Sequence, residues 1–95
     1  MDLRQLDNLL KDMMPQSEAH RTMDRISHWL ERLKSEKTYE TGIAGEMKAL
    51  KNMERMGLVL IKDKGMTIEA SMTENAQELY KEMVARGFFL KTGKV

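Results

Sequence analysis

A mainly α-helical domain with one small β-hairpin is the fold class this sequence predicts, and three observations predict it. Apolar residues recur at three-four spacing in four separate segments, the rhythm of helices with one buried face. Residues 58–72 alternate instead, with a glycine near the middle, as a hairpin does. Pro15, Gly57 and Gly87 fall where the helical rhythms stop. At 95 residues the chain has room for one modest core.

The first helix is expected within 1–14. Leu3, Leu6, Leu10 and Met13 share one face, and Arg4, Asp7, Lys11 and Asp12 take the other. Pro15 disfavours the α conformation at Met14 and removes a donor, which ends the helix. Ser17 then stands where an N-cap belongs, with Glu18 favoured by the helix dipole. A long second helix, 17–36, carries Ala19, Met23, Ile26, Leu30 and Leu33 as its stripe, with Trp29 beside it. The near-heptad rhythm of that stripe would also suit an oligomer seam.

Lys37 to Gly42 is the break before a third helix, 41–56. Thr38 and Thr41 can each cap it, so its start falls between Tyr39 and Ile43. Tyr39, Ile43, Met47, Leu50 and Met53 share one face; Lys48, Lys51, Asn52 and Arg55 share the opposite one. Gly42 and Gly45 would each cost about 1 kcal/mol inside a helix, which points to a late start or a close backbone neighbour.

Gly57 ends the third helix in the left-handed conformation, and Leu58 opens the hairpin, 58–72. Asp63-Lys64-Gly65 fits a three-residue loop. On the return strand Met66, Ile68, Ala70 and Met72 alternate with Thr67, Glu69 and Ser71. Thr73 caps a fourth helix, 73–86, whose Ala76, Leu79, Tyr80 and Met83 face inward. Gly87 stops it with Phe88 set to touch Met83, and the partly apolar tail docks on the domain or meets a partner chain.

Composition narrows the function classes. No apolar run approaches the roughly 20 residues that span a bilayer, so no membrane association is expected. MDLRQLDNLL lacks a basic start and a small-residue cleavage site, which leaves a cytoplasmic location as the default. The absence of cysteine excludes disulfides and thiolate metal sites. A net charge of +1 argues against coating nucleic acid by bulk attraction. The charge is uneven, however: residues 43–65 hold five basic and three acidic side chains, against seven and eight in 1–40. Ten methionines against five aromatic residues suggest a core filled by flexible thioethers.

Catalytic and metal chemistry find little footing. His20 and His28 lie eight residues apart with no carboxylates placed to complete a metal site, and they read as surface or boundary residues. Glu74, Glu78 and Glu82 follow one another at four-residue steps, as on a solvated helix face. Ser17, Ser27, Ser35 and Ser71 have no nucleophile context. An enzyme is not expected, and neither is a cofactor.

Two motifs carry a family resemblance. Leu50-Lys51-Asn52-Met53-Glu54-Arg55-Met56-Gly57-Leu58-Val59 is similar to the end of the recognition helix in winged helix-turn-helix regulators of the MarR and PadR type. Ala70-Ser71-Met72-Thr73-Glu74-Asn75-Ala76-Gln77-Glu78-Leu79 resembles their exit from the wing. The likeness runs from Ile43 to Met83. It implies three helices, a two-stranded wing and a C-terminal helix in one domain, acting as a transcriptional regulator on double-stranded DNA. A homodimer is expected because one small domain gives limited affinity and the first two helices and the tail offer spare apolar surface.

On that resemblance the third helix would enter the major groove with Lys48, Lys51, Asn52 and Arg55 outward. Asn52 can bond adenine through two groups, and Arg55 can fork onto guanine or hold a phosphate. Thr41 and the first-turn amides would hold a phosphate, while Lys62 and Lys64 on the wing would touch backbone or minor groove. The rival reading is a protein-interaction module of the same shape without DNA binding. It would be a small adaptor or inhibitor, of the kind mobile elements encode, gripping a partner through the helix 2 stripe or a Met-lined surface. A purely structural, self-assembling subunit is the third.

Overall fold

The computed structural model describes residues 1–89. Four helices and a three-stranded antiparallel sheet follow in the order α1 (Leu3–Met13), α2 (Gln16–Ser35), β1 (Thr38–Glu40), α3 (Ala44–Arg55), β2 (Val59–Asp63), β3 (Thr67–Met72) and α4 (Glu74–Ala85). The mainly helical class and the four helices follow the sequence reading. The tail beyond Phe89 lies outside the described residues.

The ends of the helices are set by local chemistry. Asp2 caps α1 through a reciprocal box: its carboxylate accepts from the Gln5 N–H, and the Gln5 side chain accepts from the Asp2 N–H. The expectation that Ser17 caps α2 is corrected. Pro15 holds the cap position at φ −60° and ψ 154°, so the helix starts at Gln16 with Ser17 already inside its first turn. Proline's fixed φ needs no adjustment there, and no side-chain bond is made. Thr73 caps α4 as expected, accepting from the Ala76 N–H at 3.2 Å.

Gly57 stops α3 at φ +77°, and the Leu58 N–H reaches back to the Met53 carbonyl at 2.9 Å while Gly57 bonds Glu54. Gly87 repeats the device after α4, with the Phe88 N–H on the Met83 carbonyl. Phe88 and Phe89 pack against the core, and the Phe89 ring lies 5.2 Å from that of Tyr80.

The sheet departs from the expected two-stranded wing. Thr38–Glu40, read as a helix break, forms a third strand on the free edge of β3, pairing Tyr39 with Ile68. Tyr39 therefore sits in a strand and not on the third helix; it is 2% exposed, and its hydroxyl donates to the Glu36 carbonyl. α2 and α3 are thus joined by a strand-bearing connector instead of a compact turn. The hairpin tip is also shorter than expected. The Lys64 N–H donates to the Thr67 carbonyl at 2.9 Å, which leaves Gly65-Met66 as the tip and Gly65 at φ +92°. Met66, expected in the buried alternation, lies beyond the strand and is 86% exposed.

The core lies between the inner sheet face and the helices. Leu6 and Leu10 of α1, Leu30 and Leu33 of α2, Leu50, Leu79 and Met83 are buried together in one apolar cluster. The α2 stripe, considered as an oligomer seam, is mostly consumed here: Ala19, Ile26, Leu30 and Leu33 are buried within one chain. The glutamates of α4 are likewise more than a solvated face. Glu82 accepts from the Leu3 N–H at 2.7 Å, and Glu78 lies 3.4 Å from the Met1 amino group, so they fasten the start of α1.

Candidate nucleic-acid interface

Helix α3 starts at Ala44 because Gly42 and the extended Ile43 precede it, and Ile43 offers no side-chain cap. A late start was one of the two explanations for the glycines. A Cβ at Gly42 or Gly45 would meet nothing within 4 Å, so close backbone approach plays no part. Once the helix runs, its pitch sorts the side chains. Leu50 and Met53 are buried and Met47 half-buried, while Lys48, Lys51, Asn52 and Arg55 are exposed.

Thr41 is placed differently from its expected role. It stands three residues before α3, and its hydroxyl and N–H both donate to the Met66 carbonyl at 3.0 Å. It therefore ties the end of β1 to the hairpin tip instead of capping the helix. Of the hairpin cations, Lys62 is exposed on β2, opposite Glu69 of β3. Lys64 lies 3.8 Å from the same Glu69 carboxylate. That shared acid reduces the positive field of the hairpin.

Helix α3 is held at its first turn by a cluster that sequence reasoning missed. Arg32 of α2 bonds Glu46 of α3 at 2.6 Å and Glu36 at 2.8 and 3.2 Å. Its guanidinium also lies over the rings of Trp29 and Tyr39, at 4.9 and 5.0 Å from their centres. Hydrogen bonds donated to Glu36 and then Glu46 push the Arg32 pKa up, and the same bond to Glu36 holds its carboxyl below its usual range. Only the Arg32–Glu36 spacing of four residues hinted at this. Glu46 could not be placed without knowing where α3 crosses α2.

Between α1, α2 and α3 lies a groove of about 500 Å³. Leu9, Met13 and Met14 line one side, Trp29 another, and Ala49 and Met56 the third. Lys48, Asn52 and Arg55 stand on its α3 edge, so three of the expected contact residues border a groove while Lys51 does not. Comparison with protein-family models, with curated proteins and with solved structures gave no match.

Proposed function

We propose that the chain is a winged-helix-like domain that binds double-stranded DNA through α3 and the β2–β3 hairpin. The observation that carries this reading is the sorting of α3, with Lys48, Lys51, Asn52 and Arg55 exposed opposite the buried Leu50 and Met53. Among the described residues, none of the three cations on that face is engaged in an ion pair, so each is free to neutralise a phosphate. Lys62 and Lys64 place two further cations on the hairpin beside Glu69, and Asn52 supplies a group that reads adenine. Duplex binding would serve transcriptional regulation, with two copies of α3 about one helical turn apart in a homodimer.

The test is a titration of a labelled random-sequence duplex at low salt. Lys51→Ala and Arg55→Ala should each weaken binding, whereas Lys81→Ala on α4 should leave it unchanged. Equal affinities for all three variants would remove α3 as the contact surface.

A protein-interaction module without DNA binding is the second reading, favoured by the methionines that line the groove. The helix 2 stripe expected to carry such contacts is buried. Complete absence of duplex binding at low salt, with a monomeric folded protein, would favour this reading over the first.

A further inference from the structure

The groove between α1, α2 and α3 has a chemistry of its own. Its floor reaches Leu10, Ile26 and Met53, which are 1%, 3% and 2% exposed, so it penetrates to the core. Its walls are apolar and flexible: Met13, Met14 and Met56 are unbranched thioethers that adapt to an inserted chain. Its volume of about 500 Å³ falls within the range of small-ligand sites.

The charges around it have one sign. Arg25 of α2 and Lys48 and Arg55 of α3 line the groove, and no aspartate or glutamate among the described residues does. None of the three is in an ion pair within the described residues. The polar groups that remain, Thr22 and Asn52, are neutral, although the Thr22 hydroxyl is already directed at the Met14 sulfur at 3.3 Å. An apolar slot edged by unpaired cations complements a molecule with an apolar body and one negative head.

We propose that this groove binds a small amphipathic anion, a slim alkyl chain ending in a carboxylate, with the chain against Met13, Met14, Trp29 and Met56 and the head among Arg25, Lys48 and Arg55. The inference rests on the groove and does not depend on duplex binding. Trp29 is the sole tryptophan of the chain, so its emission reports occupancy directly.

The experiment titrates octanoate, decanoate, decanol and decyltrimethylammonium into the full chain, below their aggregation limits. Trp29 emission is followed together with the methionine methyl carbon–proton spectrum. Decanoate should saturate, perturbing the methyls of Met13, Met14, Met53 and Met56 while leaving Met66 and Met72 in place. Each added methylene should tighten binding by up to about fourfold, so decanoate exceeds octanoate. Decanol should bind about fivefold more weakly, as loss of a half-solvated ion pair implies, and the cationic amphiphile more weakly still.

The double variant Lys48→Glu with Arg55→Glu should lose the preference for decanoate over decanol while keeping its circular dichroism. Both residues are exposed, so the substitution does not test folding. Three results would overturn the proposal. One is equal binding of anion and cation; another is perturbation spread evenly over all methionine methyls. The third is failure of decanoate to saturate, including the case where an acidic amphipathic peptide shifts the same methyls instead.

Discussion

Arg32 of α2 and Glu46 of α3 meet at 2.6 Å, and this pair fastens the first turn of α3 to α2. Glu46 stands in the first turn of its helix, where a negative charge is already favoured by the helix dipole. The side chains are 38% and 22% exposed, so water screens the pair and its Coulomb contribution is modest. The rings of Trp29 and Tyr39 beneath Arg32 add packing that an isolated surface pair lacks. Arg32→Met should therefore destabilise the fold by about 1–2 kcal/mol, lowering the melting temperature by about 4–8 °C per kcal/mol. Arg32 also holds the Glu36 carboxyl below its usual range, so the part of the stability that comes from the Arg32–Glu36 bond alone is present above the ordinary carboxylate pKa. It disappears as pH falls through the lowered value, and Arg32→Met should flatten this part of the acid limb in thermal melts.

Tyr39 predicts the behaviour at high pH. Burial, more than any neighbouring charge, raises its phenol above the ordinary value of 10.0. The folded state thus prefers the neutral ring. Its stabilising effect is complete below the unfolded pKa and is lost as pH rises through the folded one. Tyr39→Phe gives up the bond to the Glu36 carbonyl and should cost about 0.5–1.5 kcal/mol at neutral pH. Above about pH 10 the variant should lose less stability than the parent, measured by urea midpoints at each pH.

Two glycines of the same helix region should respond to alanine with opposite signs. Gly57 has φ +77°, and an added Cβ would meet only the Asn75 side chain at an ordinary 3.9 Å. The penalty is conformational, and Gly57→Ala should destabilise by about 1–2 kcal/mol. Gly45 lies within α3 with open space around it, so Gly45→Ala should stabilise by about 0.4–1 kcal/mol. Chemical denaturation of both variants checks the pair.

Thr73 joins the end of α3 to the start of α4. Its hydroxyl donates to the Gly57 carbonyl at 2.6 Å and accepts from the Ala76 N–H at 3.2 Å. Thr73→Val keeps the shape and removes both bonds. A loss of about 1–2 kcal/mol is expected in denaturation, with Thr73→Ser recovering most of it.

What the sequence made legible was local. Pro15, Gly57, Thr73 and Gly87 each act within a turn of themselves, and the helix ends fall where these residues stand. Met47, Leu50 and Met53 of the inward set were legible because the period is intrinsic to the helix, whereas Ile43, expected on the same face, precedes α3 and is 45% exposed. Strand β1 was not, since three residues give no readable alternation and their pairing partners, Thr67 to Glu69, lie far along the chain. Thr41 misled for the same reason: a threonine before a helix suggests a cap, and only the position of the hairpin tip shows its actual bonds. The Arg32–Glu46 pair and the groove depend on how three helices cross, which no spacing within one helix encodes.

The central claim is that the exposed cations of α3 and the hairpin displace counterions from a duplex. The direct measurement is the equilibrium affinity for one duplex across a salt series. Five cations stand on these elements, Lys64 already paired with Glu69, and three to five phosphate contacts per protomer predict a log–log slope between about −2.7 and −4.5, reduced by about one in Lys51→Ala. Affinity that is independent of salt, or a slope unchanged by Lys51→Ala and Arg55→Ala together, would contradict the account.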